Sequence, residues 1–380
     1  MKVLYIDPQS VENMAVYDFN LLSNISAKII YCCSSQYNTS LVIDVDYRYV
    51  FNYYMAKKPF TKGLSYLLSL LKILWIAKKE KPDVIHIQWW RLWIVDYLLL
   101  FLLRKYTDKI VFTAHNTVPH ESGDSMNKKC MKYYSKVDKI IVHTRQSKDE
   151  LISDFGVDSN KIFVIPHGLL HFDVNRDEVE FAKSEIKENY KLNDCFVFSA
   201  LGNQSYYKGT DLIKEAFFSS SILKNNPYVF LLVGGKGDII SNMDIQYCSN
   251  IYVKNKTLTT TEFQAFLELT DVLLLPYRRL SQSGVLLTAL ELCIPYLATN
   301  KGGLSEPLQI APVGWILKNL SIDDLREAME KLVLERNNVK ACKANQNNWG
   351  EVHKFYNWSK IAKLTMLCYK SEKTLTHQSD

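Results

Sequence analysis

The chain has 380 residues, enough for two domains of ordinary size that each bury a full core. Its 47% apolar and 23% charged residues exclude a disordered or low-complexity chain. A net charge of +6 favours anionic ligands or an anionic surface, but it is too small to imply nucleic acid, and no nucleic-acid-binding motif accompanies it.

From the N-terminus, Lys2–Ile6 reads directly as a strand, with no signal peptide expected ahead of it. Buried-strand runs at Ala27–Cys32, Val84–Gln88, Ile110–Ala114, Lys139–His143 and Ile162–Ile165 follow. They alternate with helical patterns at Met14–Leu22, Leu64–Lys79, Leu92–Leu103, Met126–Ser135 and Ser147–Phe155. Such alternation is the signature of a doubly wound parallel sheet. The polar stretch Asp173–Lys191 reads as a crossing into a second domain, where the pattern restarts at Cys195–Gly202. Strands at Tyr228–Val233, Ile251–Val253, Val272–Leu275 and Tyr296–Ala298 continue it. Ser321-Ile322-Asp323-Asp324 opens a further helix with cap-like spacing, and a last helix starts within Phe355–Lys360. Two sheets of this kind bind ligands at their strand carboxyl ends.

None of the eight cysteines forms a Cys-x-x-Cys pair and several sit in apolar runs, so a zinc site or disulfide framework is not expected and a reducing cytoplasm is. Asp44-Val45-Asp46 has the spacing of a metal-binding pair but falls in an edge segment, and no ligand cluster appears elsewhere. The apolar run Leu92–Leu103 carries Asp96 and is shorter than the ~20 residues of a spanning helix, so it is expected to be buried or to lie on a surface. Lys57, Lys58, Lys62, Lys72, Lys78, Lys79 and Lys81 flank the helix Leu64–Ala77, which also holds Tyr66 and Trp75. That helix is either a core helix with a solvated lysine face or one that rests on anionic lipid headgroups.

Candidate chemistry gathers at strand ends. In the first domain His115, His120 and Glu121 fall within seven residues after a strand, and Pro119 stiffens their loop. Trp89 and Trp90 end the preceding strand, where indole faces either stack on a sugar or pack. Val164-Ile165-Pro166-His167-Gly168 forms a turn near the domain boundary. In the second domain Gly202-Asn203-Gln204-Ser205-Tyr206-Tyr207-Lys208-Gly209 leaves a strand and opens a helix, and Leu231–Gly237 ends a strand in glycines that include Gly235. Most informative is Arg278–Thr299, where Gln282-Ser283-Gly284-Val285 meets a helix start whose free amides and dipole are receptive to phosphate. Thr288 and Glu291 follow three residues apart on that helix.

Taken in order, these segments resemble the nucleotide-sugar glycosyltransferases of the GT-B fold, in particular the large retaining group labelled family four. The resemblance runs from His86 to the last helix. It rests on Asp83-Val84-Ile85-His86, His115, the Ile-Pro-x-Gly turn at Ile165–Gly168, the Lys208-Gly209 loop, the glycines after Val233 and the Cys293-Ile294-Pro295 corner. It implies an α/β protein of two Rossmann-like doubly wound domains facing across a cleft: an acceptor-binding domain over 1–185, a nucleotide-sugar-binding domain over 186–355, and a helix over 356–380 that crosses back to the first. Lys208 then neutralises the donor diphosphate, aided by Gly202, Asn203, Gly235 and the Gln282–Val285 loop, while His115 stands at the transferred sugar. His167 lines the donor side or is structural. His120, Glu121, Trp89 and Trp90 serve the acceptor, and Glu121 or His120 would be the base of an inverting enzyme.

The sequence departs from the family in three places. Aligned on Pro295, Leu280 and Thr288 stand where the family carries paired glutamates, so Thr288 or Glu291 takes the ribose. No arginine accompanies Lys208; Asn203 or Ser205 fills its place, with Arg278 or Arg279 as substitutes. The glycine-rich loop after the first strand is replaced by Asp7-Pro8-Gln9-Ser10. The implied activity is transfer of a sugar from a nucleotide-sugar to a hydroxyl of a glycan or lipid-linked oligosaccharide, in bacterial surface polysaccharide (capsule) synthesis. It would work without cofactor or metal, in the cytoplasm or peripherally on the inner membrane. Alternatives are a sugar-nucleotide epimerase of the same fold and a non-catalytic partner subunit.

Overall fold

The computed structural model describes residues 1–37, 43–117, 124–241 and 248–372. It divides into two compact units, Met1–Gly168 joined by the segment from Tyr356 onward, and Leu169–Phe355.

In the first unit seven strands, β1 (Lys2–Ile6), β2 (Lys28–Ser34), β3 (Asp46–Phe51), β4 (Val84–Ile87), β5 (Lys109–Thr113), β6 (Lys139–Val142) and β7 (Ile162–Val164), form one parallel sheet ordered β3-β2-β1-β4-β5-β6-β7. Their apolar runs follow from burial on both faces. Leu4 and Ile6 of β1 enter the core under helices Pro59–Glu80 and Trp93–Leu103, whereas Val3 and Tyr5 enter the core under Val16–Leu22 and Trp358–Lys370. The second unit repeats the plan with β8 (Phe196–Leu201), β9 (Val229–Gly234), β10 (Ile251–Lys254), β11 (Val272–Leu275), β12 (Tyr296–Ala298) and β13 (Gly314–Ile316), ordered β10-β9-β8-β11-β12-β13. In each sheet the order reverses beside the first strand, so crevices open at the carboxyl ends of β1 and β4 and of β8 and β11.

Three features differ from the sequence reading. The edge strands β3 and β13 were not expected, because each pairs on one side only, β3 is only half-buried over most of its length and β13 is three residues long. The polar stretch around 173–191 is mostly a helix, Arg176–Tyr190, capped by Asn175. This helix belongs to the second unit, where Arg176 and Lys183 both pair with Glu268, so the division falls after Gly168 rather than near 185.

The helix Trp358–Lys370 belongs to the first unit. Tyr369 Oη lies 2.7 Å from His86 Nδ1 on β4, and Lys109 Nζ donates to the Tyr369 carbonyl at 2.6 Å. A methyl group at Gly168 would collide with the Trp358 ring, so the chain leaves the unit pressed against this helix. Tyr369→Ala removes a buried ring and a partner of buried His86; it is expected to destabilise the protein by about 3–5 kcal/mol in urea unfolding, with Tyr369→Phe costing far less.

Candidate active site

At the crevice between β8 and β11 the chain turns on Gly202, whose φ of +91° suits glycine. Side chains are also excluded by contact: a methyl on Gly235 would strike the Gly202 carbonyl, and one on Gly202 would strike Lys208 Nζ. The short helical turn Tyr206–Lys208 folds the lysine back over this glycine, with its ammonium 5.8 Å from the Tyr277 ring centroid. Gly202, Asn203, Lys208, Thr210 and Tyr277 line a small pocket here. Among the described residues the half-buried Lys208 ammonium has no hydrogen bond or ion pair, and burial lowers its pKa. Tyr277 Oη is buried without a hydrogen-bond partner; burial raises its pKa and the neighbouring Ser283 hydroxyl draws it partly back. An unpaired cation and an unpaired hydroxyl at a glycine turn suit an anionic, oxygen-rich ligand.

The loop after β11 meets this pocket, since Val285 Cγ2 lies 3.7 Å from where a Gly202 methyl would stand. Ser283 caps the helix Gly284–Glu291, accepting from the Leu286 amide at 3.2 Å, and Gln282 Oε1 accepts from the Ser283 amide at 3.0 Å. As the first two residues of the helix, Gly284 and Val285 hold amides with no intrahelical acceptor. Thr288 is 2% exposed and donates to the Gly284 carbonyl at 3.0 Å, so its hydroxyl is turned into the helix. Half-exposed Glu291, 3.5 Å from His171, is the better placed of the two for a ribose. Arg278 is not a spare cation. It grips Asp211 through both nitrogens at 2.7 and 2.6 Å and stacks 3.7 Å over Tyr206, which removes it as a stand-in for the missing arginine. Arg279 is exposed.

In the first unit the ends of β4, β5 and β6 bring histidines together. His115 Nε2 lies 2.9 Å from Gln88 Oε1, and its Nδ1 lies 3.1 Å from His143 Nε2. His143 Nδ1 donates to the Ile165 carbonyl at 3.0 Å. Burial, with neighbouring histidines adding to it in the other rings, lowers His115 well below its ordinary value, His143 to about 4, and His86 and His167 to about 3. The cluster is therefore neutral at neutral pH. A neutral His143 that donates through Nδ1 must accept at Nε2, so His115 donates from Nδ1 and leaves its Nε2 lone pair facing the Gln88 amide. An amide oxygen at that lone pair is mismatched, and a half-turn of Gln88, which presents its N–H there instead, relieves it.

Trp89 stacks on His115 with centroids 4.5 Å apart and planes at 8°, whereas Trp90 packs on Tyr133 and the core. Half-buried Trp90 thus has one face committed to packing. His167 sits in the first unit with Tyr17, His143 and Trp358, its Nδ1 donating to the Gly168 carbonyl at 2.9 Å. His120 and Glu121 lie outside the described residues. The sequence reading missed Gln88, His143 and Tyr17. The first two are strand-end polar residues in apolar runs, a signal that was present; Tyr17 joins only through the fold.

Residues 31–169 match the family model Glycosyltransferase Family 4, and residues 193–335 match Glycosyl transferases group 1. The chain belongs to the group 1 glycosyltransferases of the GT-B fold. Anabaena HepE, solved with UDP and glucose, resembles this glycosyltransferase with a TM-score of 0.73 at 14% identity, over 98% of this chain and 100% of its own. Sucrose-phosphate synthase from Thermosynechococcus elongatus follows at 0.72 and 14%, over 97% and 98% of the two chains. A Rickettsia africae glycosyltransferase gives 0.67 at 17%, over 97% of each. These likenesses establish the fold. No curated protein matches the sequence.

Two outcomes are expected of this glycosyltransferase. Gly202→Ala displaces the Lys208 ammonium and strains a positive-φ turn, so it is expected to lower the melting temperature and, in the fraction that stays folded, to weaken binding of nucleoside diphosphates by about tenfold or more in calorimetric titration. The histidine cluster sets the acid limit. Its folded pKa values lie below the unfolded value of about 6.5, so its contribution is complete above that value and is lost as pH falls towards the folded values. The melting temperature should drop across this window, and His143→Phe should make the slope shallower.

Proposed function

We propose that the second unit binds a nucleotide-activated sugar and that the sugar passes to a hydroxyl of a glycan or lipid-linked oligosaccharide, in assembly of a bacterial surface polysaccharide. One observation carries this reading: the unpaired Lys208 ammonium beside Gly202 and the Gly284–Val285 amides. In the reaction the bond from the anomeric carbon to the diphosphate oxygen breaks and a bond to the acceptor oxygen forms. The acceptor proton is released and the nucleoside diphosphate leaves with the negative charge. Lys208 and the helix-start amides meet that charge without a metal ion. Neutral His115, whose ring nitrogens face His143 and Gln88, would bond the transferred sugar by exchanging its Gln88 contact. The resemblance to the retaining group supports front-face transfer with retention of anomeric configuration. HepE is solved with UDP-glucose as well as with UDP, which makes uridine donors the first to test.

A thermal-shift panel of UDP, GDP, ADP and their sugars is expected to raise the melting temperature with one nucleotide family, in the presence of EDTA, and Lys208→Ala should abolish the rise. Because burial lowers the Lys208 pKa, donor affinity should decline in the alkaline range below an ordinary lysine's value, whereas Lys208→Arg holds its affinity there. A protein whose melting temperature ignores every nucleotide sinks the proposal.

A further inference from the structure

The helix Pro59–Glu80 presents one apolar row to solvent: Phe60 is 81% exposed, Leu64 49%, Leu68 51%, Leu71 62% and Trp75 59%. These positions recur at helical spacing and form a single stripe. Beside it the helix Trp93–Leu103 presents a second stripe, with Ile94 63% exposed, Leu98 54%, Phe101 46% and Leu102 42%. The two helices pack on each other, and Tyr66 Oη donates to Asp96 at 2.7 Å. Isolated exposed leucines are ordinary; two adjacent rows of them are not.

Charge decides what covers this face. Lys57, Lys58, Lys62, Lys72, Lys78, Lys79 and Lys81 are all exposed around the first helix. The acids are withdrawn: Asp96 is buried, accepting from the Arg91 and Leu92 amides at 2.9 and 2.6 Å, and Glu80 pairs with Lys2. Cations also lie over the aromatic residues, Lys79 over Trp75 at 5.2 Å, Lys136 over Phe101 at 5.3 Å and Lys129 over Trp93 at 5.8 Å. We propose that these two helices form a docking face for the surface of an anionic lipid bilayer, with leucines, Phe60 and Trp75 entering the headgroup boundary and the lysines meeting lipid phosphates. A second copy of the chain fits poorly, because a twofold contact would set one lysine rim against another.

The first helix is long and apolar enough to cross a membrane, yet its opposite stripe is committed to the fold. Tyr66, Leu70, Ile73 and Ile76 are buried in the core, and Ser69 donates to the Val50 carbonyl of β3 at 2.6 Å. Spanning would dismantle the first unit. The face therefore lies on the bilayer.

Co-sedimentation of the full chain with phosphatidylcholine vesicles, with and without phosphatidylglycerol, tests the proposal. Binding is expected only with phosphatidylglycerol and should be released by high salt. Leu68→Glu/Leu71→Glu should lower partition by about tenfold or more, and Lys72→Glu/Lys78→Glu/Lys79→Glu should erase the preference for anionic lipid. Unchanged melting temperatures and nucleotide responses would show that both variants fold, and would keep this outcome separate from that of the sugar-transfer reading. The proposal is overturned if wild-type protein ignores anionic vesicles, if both variants bind as wild type does, or if only detergent releases the protein. It also fails if the leucine variant merely abolishes a concentration-dependent dimer.

Discussion

An ammonium group held half out of water without a counter-charge is the constraint on which the proposed donor site depends. Lys208 keeps that position because Gly202 leaves room for it and Gly235 lets two backbones approach. Desolvation costs the cation stability, and its lowered pKa registers the cost. A structural lysine would satisfy itself as Lys183 does, between Glu180 and Glu268. Arg278 shows the same contrast at close range: its charge is consumed by Asp211, so it braces the loop on which Tyr206 and Lys208 sit. One cation holds the loop and the other is left for a ligand.

The first unit solves a different problem with the same topology. Its strand ends carry neutral donors and acceptors whose directions are fixed from one end by the Ile165 carbonyl. Trp89 and Tyr17 enclose His115, and burial keeps every ring in the cluster uncharged. A neutral imidazole of defined tautomer suits a sugar hydroxyl, whereas a cation suits a phosphate. The glycosyltransferase thus places charge in one unit and directional polarity in the other.

Periodicity made most of the sheets legible, because strands buried on both faces read as unbroken apolar runs; Lys2–Ile6, Val272–Leu275 and Tyr296–Ala298 have the bounds expected of them. Edges were harder. β3, Asp-Tyr-Arg-Tyr-Val-Phe, is polar at one end and apolar at the other and pairs only with β2. The helix Arg176–Tyr190 buries little beyond Val179 and Ile186, so its composition resembled a linker. At the candidate site Gly202, Lys208 and the Ser283 cap could be read from strand–turn–helix context. That Arg278 is spent on Asp211, or that Thr288 bonds back to Gly284, depends on rotamers that no spacing encodes.

The loop after β1 differs in chemistry from its counterpart after β8. Where the second unit has Gly202 and an unpaired cation, the first has Asp7, 4% exposed, and fully buried Asp18, whose charge helps to raise the Asp7 carboxyl. Asp18 also accepts from Tyr5 Oη at 2.7 Å and from Tyr31 Oη, while Ser10 Oγ donates to the Asp7 carbonyl at 2.8 Å. Burial raises both carboxyls, which favours their uncharged forms, and any negative charge kept there would repel a diphosphate. The missing glycine-rich loop is therefore a filled one. Tyrosines and carboxyls line this turn, which supports the proposal that the donor binds at the lysine and amides of the second unit.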